Sequence, residues 1–94
     1  MSGAVDLTAV GSTKVANPHG IHARPSHSIV TAAQGFSARI ELEYEGRRAD
    51  ARSILAIMTL GAPCGATVTV RTQGPDAESA LAAILHLVSA IEPR

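Results

Sequence analysis

The stretch Ala38-Arg39-Ile40-Glu41-Leu42-Glu43-Tyr44-Glu45-Gly46-Arg47-Arg48-Ala49-Asp50-Ala51 decides the fold. Ala38, Ile40, Leu42 and Tyr44 alternate with Arg39, Glu41 and Glu43. That period of two puts apolar side chains on one face of a strand and charged ones on the other. Glu45-Gly46 is a two-residue hairpin signal. Residues 47–51 return as a second strand, with Ala49 and Ala51 on the apolar face. A hairpin with one wet face belongs in an antiparallel sheet covered on a single side.

Working outward, residues 66–71 repeat the alternation, with Ala66, Val68 and Val70 set against Thr67, Thr69 and Arg71. A helix is predicted from about Ala23 to Gln34, with Ser26, Ile29, Val30 and Ala33 on one face and Gly35 as its stop. Ser53 caps a short apolar helix that runs to Leu60, and a turn around Pro63 follows. Gln73-Gly74-Pro75 breaks the chain. Asp76 then caps a last helix to about Ile91, with the stripe Ala77, Leu81, Ile84, Val88 and Ile91. Near the N-terminus Val5, Leu7, Val10 and Val15 read as a strand ending near Ala16 that Gly11 interrupts or bulges. The order β-α-β-β-α-β-α with one apolar face per strand predicts an α+β fold. It is an open-faced β-sandwich, a four-stranded antiparallel sheet with three helices on one face. Residues 1–94 read as one domain, with 1–11 as an N-terminal extension.

Composition narrows the function. The 94 residues carry a formal net charge of zero, so bulk charge does not draw the chain to nucleic acid or to an anionic membrane surface. Phe36 and Tyr44 are the only aromatics besides histidine, too few for a base-stacking platform. Cys64 is the lone cysteine; it has no disulfide partner in the chain and no basic or histidine neighbour in sequence to activate it. No segment has the length and apolarity of a membrane span, and no signal peptide is evident, so a cytoplasmic location is expected. The histidines show no metal-ligand spacing, and neither metal nor cofactor is called for.

The chemistry concentrates in Gly20-Ile21-His22-Ala23-Arg24-Pro25. Proline is at home in a first helical turn, so His22 falls at a helix start. Backbone N–H groups and the helix dipole there attract phosphate, and Arg24 adds a charged fork. His22 is the candidate nucleophile, with Ala23 and Arg24 as phosphate binders. The plain alternative is an exposed helix-start residue. His19 lies in the preceding turn as a neighbour of His22; His27 points to another side of the helix, and His86 falls off the last helix's stripe. A helix cap is sufficient to explain Ser53, although a phosphate there would meet a helix N-terminus. Ile54, Leu55 and Met58 lie on one side of the short helix, and Ser53, Ala56, Ile57 and Leu60 on the other. Both sides cannot be buried, so an exposed apolar patch is expected.

The 20–25 segment resembles the active-site signature of the HPr family, the histidine-containing phosphocarriers of the bacterial phosphoenolpyruvate-dependent phosphotransferase system. Arg52-Ser53-Ile54-Leu55, with Met58-Thr59-Leu60-Gly61, resembles that family's regulatory-serine segment, and the likeness runs from about Ser12 to Ile91. It implies that His22 accepts a phosphoryl group on Nδ1 from enzyme I and passes it to a histidine of an enzyme IIA domain, with Arg24 pairing with the phosphate. It also implies that Ser53 is the site for an ATP-dependent HPr kinase, and that Ile54, Leu55 and Met58 dock partners. Ser26 departs from the alanine usual after the proline, and the stretch before Ser12 is longer than usual. The carrier would work as a monomer. Two other readings stay open. One is the nitrogen-related regulatory paralogue, which the segment from Gly74-Pro75-Asp76 to Ala82-Ala83-Ile84 partly resembles. The other is a binding module of the same fold in which His22 is structural.

Overall fold

A computed structural model describes residues 7–90. Its elements are β1 (Thr8–Lys14), α1 (Ala23–Ala33), β2 (Arg39–Tyr44), β3 (Arg47–Asp50), α2 (Ile54–Leu60), β4 (Thr67–Gln73) and α3 (Ala77–Ser89). The four strands form one sheet in the order β1-β4-β2-β3, with every pairing antiparallel. Ile40, Leu42, Ala49, Val68 and Val70 are buried on the face that the helices cover. Arg39, Glu41, Glu43, Thr69 and Arg71 lie on the open face, fully or partly exposed. Ion pairs Arg48–Glu41 and Arg71–Glu43 lace that face. The predicted α+β sandwich and its element order are the observed ones.

The hairpin behaves as read. Glu45 (φ 51°) and Gly46 (φ 79°) both take positive φ, the turn whose twist matches a right-handed strand pair. The first strand differs from the reading. It begins at Thr8, inside the expected 1–11 extension, and pairs without a bulge from Thr8↔Gln73 to Lys14↔Thr67. Gly11 does not interrupt it. A Cβ there would stand 2.8 Å from Leu85 Cδ1 and 3.5 Å from Leu81 Cδ1, so Gly11 lets α3 lie close on β1. Val10 points outward at 60% exposure, because the pleat puts Ala9 and Gly11 inward. Val5 and Ile91 lie outside the described residues.

Three further boundaries move. β4 runs on to Gln73, which pairs with Thr8 on one side and Arg39 on the other, and Thr72, buried at 2%, donates its hydroxyl to Ala77 O at 2.7 Å. Gly35 follows the C-cap Gln34 without a left-handed backbone. In α3 the buried residues are Ala77, Ala80, Ile84 and Val88, and the helix ends at Ser89; Leu81 packs only at the edge of the core.

Candidate functional site

Asn17 builds the loop that carries His22. It is 95% buried; its Oδ1 accepts from His19 N at 3.1 Å and its carbonyl from Gly20 N at 2.9 Å. Gly20 takes φ 72°, and a Cβ there would lie 2.5 Å from Ala62 O, so only glycine fits. That carbonyl instead accepts from Ile21 N at 3.0 Å. Gly65 N to Val15 O and Val15 N to Ala66 O complete the seam. The histidine loop is therefore docked on the 61–66 loop at the end of α2. The sequence marked 17–20 as a turn; it gave no sign of what the turn leans on.

His22 is the N-cap of α1, in extended conformation (φ −91°, ψ −160°), and its side chain makes no capping bond. Ala23 and Arg24 are the first two helical residues, and Pro25 has no N–H to offer. The first intrahelical bond runs from Ser26 N to His22 O at 3.0 Å. The helix start thus keeps its positive end for something other than its own cap. The imidazole is half-buried, and Ala23 and Arg24 are exposed. His19 meets His22 edge to face, ring centroids 5.7 Å apart and planes at 86°. His27 and His86 are exposed, and Cys64 Sγ rests 3.8 Å from Ala16 O.

Ser53 is the N-cap of α2 and does cap it, accepting from Ala56 N at 3.1 Å. Ile57 and Leu60 are buried, while Ile54, Leu55 and Met58 are 40%, 74% and 41% exposed. Arg47 and Arg48 line the same groove as Ser53 and Leu55. Because the His22 loop rests on residues just past the C-terminal end of α2, Ser53 stands the length of a seven-residue helix from that contact, roughly 10 Å. The structure thus gathers His22, Ala23 and Arg24 in one place, and Ser53, Ile54, Leu55 and Met58 on the helix leading to it.

Asp76 corrects the sequence reading. It occupies the N-cap of α3 but makes no side-chain capping bond. Its carboxylate accepts from Ser37 N at 2.9 Å and Ala38 N at 2.8 Å. Chiefly the Ser37 N–H, aided by Ala38 and Arg52, holds the carboxyl below its ordinary value of 3.8. Arg52 in turn donates to Phe36 O at 2.7 Å and Ala38 O at 3.2 Å. No local motif pointed to this tie.

Fold and helix-start histidine together define the class: a small open-faced sandwich of the histidine-phosphocarrier type. Residues 11–90 match the family model described as the PTS HPr component phosphorylation site. The chain is 39% identical over 77 residues to the phosphocarrier protein HPr of Cupriavidus necator, covering 82% of this chain and 86% of that protein. It is 40% identical over 78 residues to the phosphocarrier protein HPr of Treponema pallidum, covering 83% and 89%. The crystal structure of an HPr from Bacillus anthracis superposes with a TM-score of 0.83 at 35% identity, covering 87% of this chain and 98% of that one. The chain belongs to the HPr family, the phosphocarriers of the bacterial phosphotransferase system.

Proposed function

We propose that His22 is the residue that carries the phosphoryl group. The observation behind this is the uncommitted N-cap: a half-buried imidazole that makes no capping bond at the positive end of α1. A neutral imidazole nitrogen is a competent nucleophile near neutral pH. Its lone pair, on Nδ1 by family likeness, forms the new N–P bond as the donor's N–P bond breaks. The donor's nitrogen leaves with the electron pair. The positive end of α1 and a nearby arginine, Arg24, would offset the incoming charge, and transfer of this kind needs mainly positioning and neutralisation. The donor is enzyme I and the acceptor an enzyme IIA domain, both in the cytoplasm, with the carrier acting as a monomer.

Ser53 is proposed as a regulatory phosphorylation site for an HPr kinase, and Ile54, Leu55 and Met58 as the docking patch. A phosphate on Ser53 would meet the groove that Arg47 and Arg48 line. It would act on partner docking rather than on His22 directly, because the length of α2 separates it from the His22 loop.

Replacing His22 with Ala tests the assignment. It abolishes phosphoenolpyruvate- and enzyme I-dependent labelling, while the circular-dichroism melt stays that of the parent. Labelling that survives in His22→Ala and vanishes in His27→Ala or His19→Ala assigns the phosphoryl group elsewhere.

A further inference from the structure

His19 has no part in the reading above, yet its ring is seated against that of His22 at 5.7 Å between centroids. The placement is built in. Asn17 pins the His19 backbone, the next residue takes a left-handed backbone against Ala62, and Ile21 is bonded to the same carbonyl. His19 is exposed where His22 is half-buried, so it stands on the solvent side of the pair.

The segments that build the site carry basic residues and no acidic ones. Lys14 ends β1, Arg24 and His27 lie on α1, and Cys64 is the titratable group of the 61–66 loop. Residues 14–34 and 51–70 contain no Asp or Glu. On α3, which packs on α1, Asp76 is committed to Ser37 and Ala38, leaving Glu78 and His86. The segments that build the site therefore hold no carboxylate to neutralise a charged His19.

We propose that His19, in its charged form, is an electrostatic partner of the phosphoryl group on His22 and makes the carrier's phosphorylation equilibrium pH-dependent. The inference rests on His22 being the acceptor. The phosphoryl group brings negative charge to a ring already beside His19, and a cation there stabilises the phosphorylated state. The stabilisation belongs to the charged form of His19 alone. One cation facing one to two negative charges at about 6 Å in water shifts the equilibrium by about three- to tenfold at low salt, less as salt rises.

The test uses the full chain, its His19→Gln and His19→Lys variants, and His22→Ala. Each is equilibrated with enzyme I and labelled phosphoenolpyruvate at about pH 6 and about pH 8.5, either side of the imidazole range. Comparing parent with His19→Gln at each pH cancels the pH response of enzyme I. The parent is expected to be phosphorylated about three- to tenfold more favourably than His19→Gln at the lower pH and equally at the higher. His19→Lys keeps the advantage at both. A parent-to-Gln ratio of one throughout, or one that does not change with pH, overturns the proposal and leaves His19 a packing residue. Labelling of His22→Ala is a separate failure: it removes the acceptor assignment and this inference with it.

Discussion

The starts of α1 and α2 are alike in backbone and opposite in use. His22 and Ser53 are both N-caps with extended dihedrals. Ser53 spends its hydroxyl on its own helix, accepting from Ala56 N. His22 makes no such bond. A capping side chain is a structural group already engaged; a non-capping one is not spent on its own helix. The start of α3 is a third outcome, since Asp76 makes no side-chain capping bond and fastens the segment entering β2. Position along the chain sets where a helix begins, and the surroundings set what the first side chain does.

The largest effect is expected at Ser53. A negative charge at a helix start is favourable, so Ser53→Asp is expected to hold or raise the melting temperature. It also sets a charge beside Ile54 and Leu55, which an acidic partner must approach, and phosphorylation of His22 by enzyme I slows on the order of tenfold or more. Ser53→Ala does the reverse, losing about 1 kcal/mol of cap stability with nearly normal transfer. Melting curves and transfer rates on both variants decide it; unchanged transfer in Ser53→Asp makes the serine a cap and nothing else.

Next comes the exposed side of α2. Leu55→Glu is expected to weaken enzyme I binding about tenfold while leaving the melting temperature nearly unchanged, as its 74% exposure implies. Ile57→Ala, on the buried side of the same helix, shows the opposite pattern, losing about 2–5 kcal/mol of stability. Calorimetric titration beside thermal melts separates the two, and equal losses of stability would place Leu55 in the core.

Asp76 gives a smaller, pH-resolved effect. Its carboxyl is held below the ordinary value of 3.8, chiefly by Ser37 N–H. Its stabilising contribution is therefore complete above that value and is lost as pH falls through the lower folded-state value. Asp76→Asn is expected to lower the melting temperature near neutral pH, and the gap to the parent should close on acidification below about pH 4. A gap independent of pH would mean the carboxylate's charge is not what ties β2 to α3.

The smallest effect is expected in the first turn of α1. Ser26 is fully buried and its Oγ has no hydrogen-bond partner. Ser26→Ala removes that unpaired hydroxyl and should raise stability by roughly 1 kcal/mol, read from chemical denaturation, with labelling of His22 unchanged. A loss of stability would show that the hydroxyl has a partner in solution.

The single-faced strands, the hairpin at Glu45-Gly46, the cap at Ser53 and the helix start at His22 were legible from the residues alone. Each follows from local rules: side-chain period, turn residues and helix-terminus chemistry. That one side of the short helix is exposed was legible too, because a short helix on a sheet can bury only one side; that it is the side of Ile54, Leu55 and Met58 came from packing. The remaining features depend on contacts between distant segments. Gly11 reads as a break in a strand until α3 is laid across it. Asp76 reads as a helix cap until residues 37 and 38, far back in the chain, present two N–H groups to it. The seating of His19 and His22 depends on Ala62 O and the 61–66 loop, a contact between segments some forty residues apart. Hydrogen-bond partners across such distances carry no periodic signature, because a backbone carbonyl is the same acceptor whatever residue bears it.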